Sequence, residues 1–192
     1  MLGGIESAAK GRLHMTRTIL TYGLISGFVI ILGMIGTIVM KGDAPHTDVW
    51  LGYLIMLIGL SSILIGVKQY RDQKQGGVIK FTTAFMLGLG IALAAALAYV
   101  LVWEVYMAMT NYTFMDKYAE QMLAAKRAAG VTGAAYEKAV AEMEGMKTMY
   151  ANPLLRMPMT FIEIFPVGLL VALVTAVLVR NPRFLPSRSA PA

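Results

Sequence analysis

The sequence predicts an all-α membrane protein with four transmembrane helices and an extracytoplasmic helical hairpin between the third and the fourth. Three observations carry this. Hydrophobic residues make up 57% of the 192-residue chain and charged residues only 15%, against about 25% charged in an ordinary soluble domain; the mean hydropathy is +0.64. Four apolar stretches of 18 to 23 residues interrupt the polar chain. The one long connection, 104–159, carries helical periodicity instead of a continuous apolar run. A disordered chain, a coiled coil and most soluble enzymes are excluded by this composition.

The stretches run Thr18–Met40, Trp50–Val67, Phe81–Trp103 and Thr160–Val179, flanked by Arg17 and Lys41, Lys68, Lys80 and Arg180 respectively. At 1.5 Å rise per residue, about 20 residues span the roughly 30 Å of bilayer hydrocarbon. Backbone groups in lipid must be satisfied within the segment, so each run reads as a helix. The first is too long for the apolar region of a secretory leader and reads as a retained span. The expected division is a tail over 1–15, three spans within 16–110, a helical connection over 111–155, the fourth span at 156–180 and a tail over 181–192, disordered from Pro182 to Arg188.

Charge sets the expected orientation. The N-terminal tail, the 68–80 loop and the C-terminal tail together hold ten Lys and Arg, whereas the other side holds seven, nearly cancelled by Asp and Glu. Basic residues favour the cytoplasmic side, so both termini are expected there. Trp50 and Trp103 fall at the opposite ends of their spans, where an interfacial aromatic belt would place them. With 17 basic against 11 acidic residues, the natural partners are the bilayer and anionic lipid headgroups rather than nucleic acid, for which no motif is present.

Within the connection, Thr113 is placed to cap a helix carrying Met115, Tyr118, Met122 and Ala125 on one face, ended by Gly130. Thr132 is placed to cap a second, with Tyr136, Val140 and Met143, ended by Asn152-Pro153. Gly76-Gly77 suits a tight turn between the second and third spans.

Gly52-Tyr53-Leu54, Gly66-Val67-Lys68-Gln69-Tyr70-Arg71-Asp72, Gly76-Gly77-Val78-Ile79-Lys80-Phe81 and Gly88-Leu89-Gly90-Ile91-Ala92 resemble a family of small bacterial inner-membrane proteins. That family is catalogued only as a domain of unknown function, number 4199. Tyr99 to Glu104 and Ile164-Phe165-Pro166-Val167-Gly168 are similar to its third and fourth helices. The resemblance covers about Thr16 to Val179. It implies a bacterial cytoplasmic-membrane location and supports the four-helix count, but brings no activity with it.

Few residues are candidates for chemistry. Glu104 and Glu163 adjoin or enter apolar runs, and an ionisable group there is a functional hypothesis by default. Both fall at a similar depth near the outer surface, so they are expected to face each other, with Arg156 or Tyr106 as partners. One reading is a hydrogen-bonded pair that fixes two helix ends; the sharper one is a proton or cation site. Lys68, Tyr70, Arg71 and Lys74 form a cluster suited to headgroups or to a docking partner.

Small residues recur every four positions at Gly23 and Gly27, Ser62 and Gly66, Gly88-Ala92-Ala96 and Gly168-Ala172-Ala176. Such stripes allow close helix approach, either inside one bundle or between copies. Nine of the fifteen methionines lie in the connection; apolar packing explains them better than soft-metal binding. His46, between Asp43 and Asp48, reads as a solvated loop residue.

No cysteine is present, and two distant histidines make no catalytic arrangement. No catalytic set, cofactor or metal site is therefore expected. The leading expectation is a non-enzymatic accessory or structural protein acting through partner or lipid contacts, as a homo-oligomer or with another membrane protein. The alternative is an oligomeric proton- or cation-conducting unit using Glu104 and Glu163.

Overall fold

The computed structural model describes residues 2–41 and 49–187, with side chains for 9–40 and 50–187. The described residues form seven helices: α1 (Leu2–Lys41), α2 (Val49–Leu60), α3 (Ser62–Lys74), α4 (Phe81–Met109), α5 (Phe114–Ala128), α6 (Gly133–Ala151) and α7 (Pro153–Val179). Among the described residues, four stretches are long and apolar enough to cross a membrane: Ala9–Met40, Trp50–Lys74, Phe81–Met109 and Pro153–Val179. The residues around His46 lie outside the described chain.

Each span is longer than its apolar run. The stretch expected as an N-terminal tail continues α1, since Ala8, Ala9, Lys10, Arg12 and Leu13 favour helix. The second span is α2 and α3 joined at Ser61, whose N–H still reaches the Leu57 carbonyl at 2.9 Å. The fourth begins at Pro153, so Pro158 as well as Pro166 lies inside a helix. Asn152-Pro153 does end α6, but it also starts α7 with no intervening loop. Asn152 Oδ1 accepts the Leu154 N–H at 3.0 Å, and proline at the first helical position has no N–H to lose.

The small-residue stripes close the bundle on itself. A Cβ placed on Gly27 would come within 2.8 Å of Ala98 Cβ and 3.0 Å of the Ala95 carbonyl, which brings α1 against α4 backbone to backbone. Gly168 meets Ala92, and Gly88 meets Ala172, locking α4 to α7. In lipid, where apolar side chains gain little by leaving the solvent, such close van der Waals contact is what holds helices together. Ser26 of α1 hydrogen-bonds Ser62 of α3 and donates to the Gly59 carbonyl at 2.9 Å, so both buried hydroxyls are satisfied. Ile30, Leu60, Ile63, Leu87, Ile91 and Ile164 fill the interior.

Facing the bilayer instead are Leu24, Phe28, Leu57, Ile58, Leu97, Leu101, Leu170 and Val174, all exposed. Large apolar side chains outside the bundle as well as within it are what a lipid solvent requires.

The connection forms an antiparallel pair of helices. Lys147 of α6 bridges Asp116 of α5 at 2.9 Å, and further along Arg127 lies 4.7 Å from the Tyr136 ring centroid. Met115, Ala119, Ala139 and Met143 are buried between and beneath them. Neither Thr113 nor Thr132 caps its helix with a side-chain bond; Thr113 Oγ1 turns back to the Thr110 carbonyl. Gly130, at φ +79°, follows the end of α5 as expected.

Candidate functional site

The two largest fully buried side chains are both arginines, Arg71 and Arg156. They sit at opposite ends of the bundle. An arginine is rarely buried unless its five donors are matched, so each marks a place where the chain organises polar groups inside an apolar body.

At the hairpin end, Arg156 lies on the first turns of α7. Its Nε donates to Glu104 Oε1 at 2.7 Å and its Nη2 to Glu104 Oε2 at 2.5 Å, a two-pronged bond between α7 and α4. Nη1 donates to the Tyr150 carbonyl at 2.7 Å, satisfying a free carbonyl at the end of α6. The guanidinium also lies 5.2 Å from the Tyr112 ring centroid and 5.8 Å from that of Tyr150. One cation therefore joins three helices.

Aromatic rings complete this end. Trp103 Nε1 donates to the Tyr150 hydroxyl at 2.6 Å, and the indole meets Phe114 edge-on at 5.0 Å. Trp103 is thus buried inside the bundle and does not stand in an interfacial belt, unlike Trp50, which is exposed. Burial among these rings holds the Tyr150 hydroxyl above its usual pKa, with the Trp103 hydrogen bond opposing the shift. Above the clasp, a cavity of about 380 Å³ opens between α5 and α6, with Asp116, Glu144, Lys147, Tyr112 and Arg156 on its walls. Its charges are mutually paired, Lys147 bonding both Asp116 and Glu144. Those bonds raise the Lys147 ammonium above the ordinary lysine range, Asp116 contributing most.

The two glutamates are not partners. Glu104 is taken by Arg156, whereas Glu163 sits two turns further along α7 on an exposed position, within electrostatic reach of Tyr99 and Tyr150. Of the two partners foreseen for a carboxylate here, the one found is Arg156 rather than Tyr106. Spacing suggested equal depths for Glu104 and Glu163, but the register of α7 against α4 sets Arg156 level with Glu104 and leaves Glu163 seven residues, about 10 Å, further along the bundle.

At the terminal end, Arg71 corrects a second expectation. It is fully buried, so it does not reach headgroups. Its Nε bonds Asp72 at 2.7 Å, while Nη1 reaches the carbonyls of Val179 at 3.4 Å and Phe184 at 2.9 Å, and Nη2 that of Leu185 at 2.5 Å. The C-terminal tail, expected to be disordered, is held against the bundle as far as it is described, with Phe184 packed on the core. Tyr70 is also buried; Lys68 pairs with Asp72 at 2.5 Å, and Lys74 remains exposed. Gly76 and Gly77, at φ +62° and +87°, make the turn into α4, and Gly77 donates to the Arg71 carbonyl at 3.1 Å.

The methionines of the connection divide between packing and exposure: Met107, Met115 and Met143 are buried, whereas Met109, Met149, Met157 and Met159 are exposed. Among the described residues, no three His, Cys, Asp or Glu side chains cluster closely enough to hold a metal.

Four apolar, membrane-length helices closed by small-residue stripes and braced at each end by a buried arginine define a multi-pass membrane protein. The chain belongs to the family described as a protein of unknown function (DUF4199), whose family model matches residues 21–181. That match covers the second, third and fourth spans, most of the first and both buried arginines, and it agrees with the resemblance read from the residues. No curated protein and no solved structure matches the chain.

Proposed function

We propose that this is a non-enzymatic, multi-pass protein of a bacterial cytoplasmic membrane, both termini on the cytoplasmic side, that acts through contacts with partner proteins or lipid. One observation carries the reading: its buried ionic groups are consumed in bracing helices to one another. Arg156 ties α4, α6 and α7 together, and Arg71 ties α3 to the end of α7 and its tail. A carboxylate held in a two-pronged arginine bond is poorly placed to serve as an acid, base or ligand, because both of its oxygens are already engaged. The excess of Lys and Arg at the terminal end supports the orientation.

The test is crosslinking in membranes, extraction in mild detergent and affinity recovery of the tagged chain. A stable partner or co-purifying lipid is the expected result. Recovery of the chain alone, with neither, overturns the reading. Reporters active only outside the inner membrane, fused to either end, are expected to stay silent.

The conducting alternative needs carboxylates free along a water-filled path. Against it stand the Glu104–Arg156 bond and the exposed position of Glu163 two turns away from it. Proton or cation flux into proteoliposomes is expected to be indistinguishable between the native chain and one carrying Glu104→Gln with Glu163→Gln. A loss of flux specific to that variant restores the conducting role.

A further inference from the structure

At the terminal end a second cavity, about 430 Å³, opens between α1 and α3. His14, Arg17 and Thr21 line it from α1, and Gln69, Gln73 and Lys74 from α3. It differs from the cavity at the hairpin end in one decisive respect. There every base on the walls has a carboxylate beside it; here no carboxylate contributes to the lining. Among the described residues, neither Arg17 nor Lys74 lies within ion-pair distance of an acidic group. Bringing like charges into one cleft costs free energy that a bound anion would recover.

The depth of the cleft narrows the choice of anion. Arg17 immediately precedes the apolar run of α1, and Lys74 ends α3, so both belong to the interfacial layer of the bilayer. One turn deeper on each wall stand Ile25, four residues beyond Thr21, and Ile65, four residues before Gln69. They are 46% and 56% exposed, each one helical turn beyond a residue that lines the cleft. Tyr22 closes the inner edge, its hydroxyl donating to Gln69 Oε1 while its ring packs on Gly66. A polar, cationic cleft with exposed apolar side chains one turn deeper on both of its walls matches an amphiphile and not a soluble phosphoester.

We propose that this cleft binds the headgroup of an anionic phospholipid, its phosphate on Arg17 and Lys74 with the neighbouring hydroxyl and amide groups as further donors, and its acyl chains along Ile25 and Ile65. The site rests on the lipid-contact reading above and gives it an address. It replaces the surface cluster expected around Arg71, of which Tyr70 and Lys74 line the cleft.

The test is native mass spectrometry of the full chain in mild detergent, titrated separately with phosphatidylglycerol, phosphatidylcholine and glycerol 3-phosphate. The native chain is expected to hold one phosphatidylglycerol in preference to phosphatidylcholine. The R17Q/K74Q double variant is expected to bind it on the order of tenfold more weakly, as the loss of two bases at an anionic surface implies. R17K/K74R keeps charge and is expected to retain the lipid, as is K117Q/K126Q on the distant hairpin. Unchanged binding by R17Q/K74Q, or equal loss in R17K/K74R, overturns the site while leaving the wider lipid or partner reading intact. Glycerol 3-phosphate binding as tightly as phosphatidylglycerol overturns the assignment to lipid. No lipid on any form, together with no crosslinked partner, removes the wider reading too.

Discussion

Gly168 of α7 rests on Ala92 of α4, and twelve residues further along both helices Arg156 of α7 clasps Glu104 of α4. The two contacts lie about 18 Å apart at 1.5 Å rise per residue. They share one register, since the antiparallel helices advance by equal steps between them. Close packing fixes the distance between the helices but tolerates sliding; the two-pronged ionic bond fixes the slide.

Removing one member of the clasp leaves the other charged and largely out of water. Arg156→Ala is expected to destabilise the bundle by roughly 3 kcal/mol, near the lower end for a broken buried pair because Glu104 is not fully enclosed. Replacing Arg156 and Glu104 together by Leu is expected to recover most of that loss. Reversible unfolding in mixed micelles measures both, and equal losses for the single and double variants contradict the account.

The glycine stripes make a graded prediction. Gly27→Ala is expected to cost about 1–3 kcal/mol, because its Cβ would press on Ala98 and on the Ala95 backbone. Gly36→Ala and Gly52→Ala place the same methyl group in open space, so helix propensity makes them neutral or slightly stabilising. Melting temperatures of the three variants in one detergent decide the matter.

Arg71 holds the C-terminal tail by main-chain carbonyls. Arg71→Gln is expected to free that tail and to raise the rate of tryptic cleavage after Arg180 and Arg183 about tenfold or more. The rate of appearance of the shortened chain reports it. Cleavage at the native rate shows that the apolar packing of Phe184 suffices.

The hairpin has a defined alkaline limit. Burial raises the Tyr150 hydroxyl above its ordinary value of 10.0, and the bonds to Asp116 and Glu144 raise Lys147 above 10.5. Both groups hold a proton in the folded chain that the unfolded chain has already lost. Their stabilising effect is complete below those ordinary values and falls as pH rises through the folded ones. Stability is therefore expected to be flat from pH 7 to about 10 as regards these two groups, and to decline above it. Amide exchange in α5 and α6 measures the loss, and a decline below pH 9 argues against their role.

How much the sequence disclosed depends on the kind of interaction. Span number, the connecting helices and the Gly76-Gly77 turn are local, since a long apolar run in lipid has only the helix open to it, and a residue of positive φ favours glycine. The small-residue stripes announced close packing, though not which helices they would join. Glu104 announced a polar contact at the end of a span, and Arg156 stood among its foreseen partners. What misled was register: α7 begins at Pro153, seven residues before the apolar run, so Arg156 and not Glu163 stands level with Glu104.

Arg71 and Arg17 show the same division. In the sequence both are basic residues beside apolar runs, equally suited to headgroups. Only the folded chain buries Arg71 under the carbonyls of a tail more than a hundred residues later and leaves Arg17 beside Lys74 at an uncompensated cleft. Solvent preference of the chain is summed over local stretches, so composition determined that it belongs in a membrane. The fate of an individual charge depends on which distant groups reach it, and tertiary packing alone decides that.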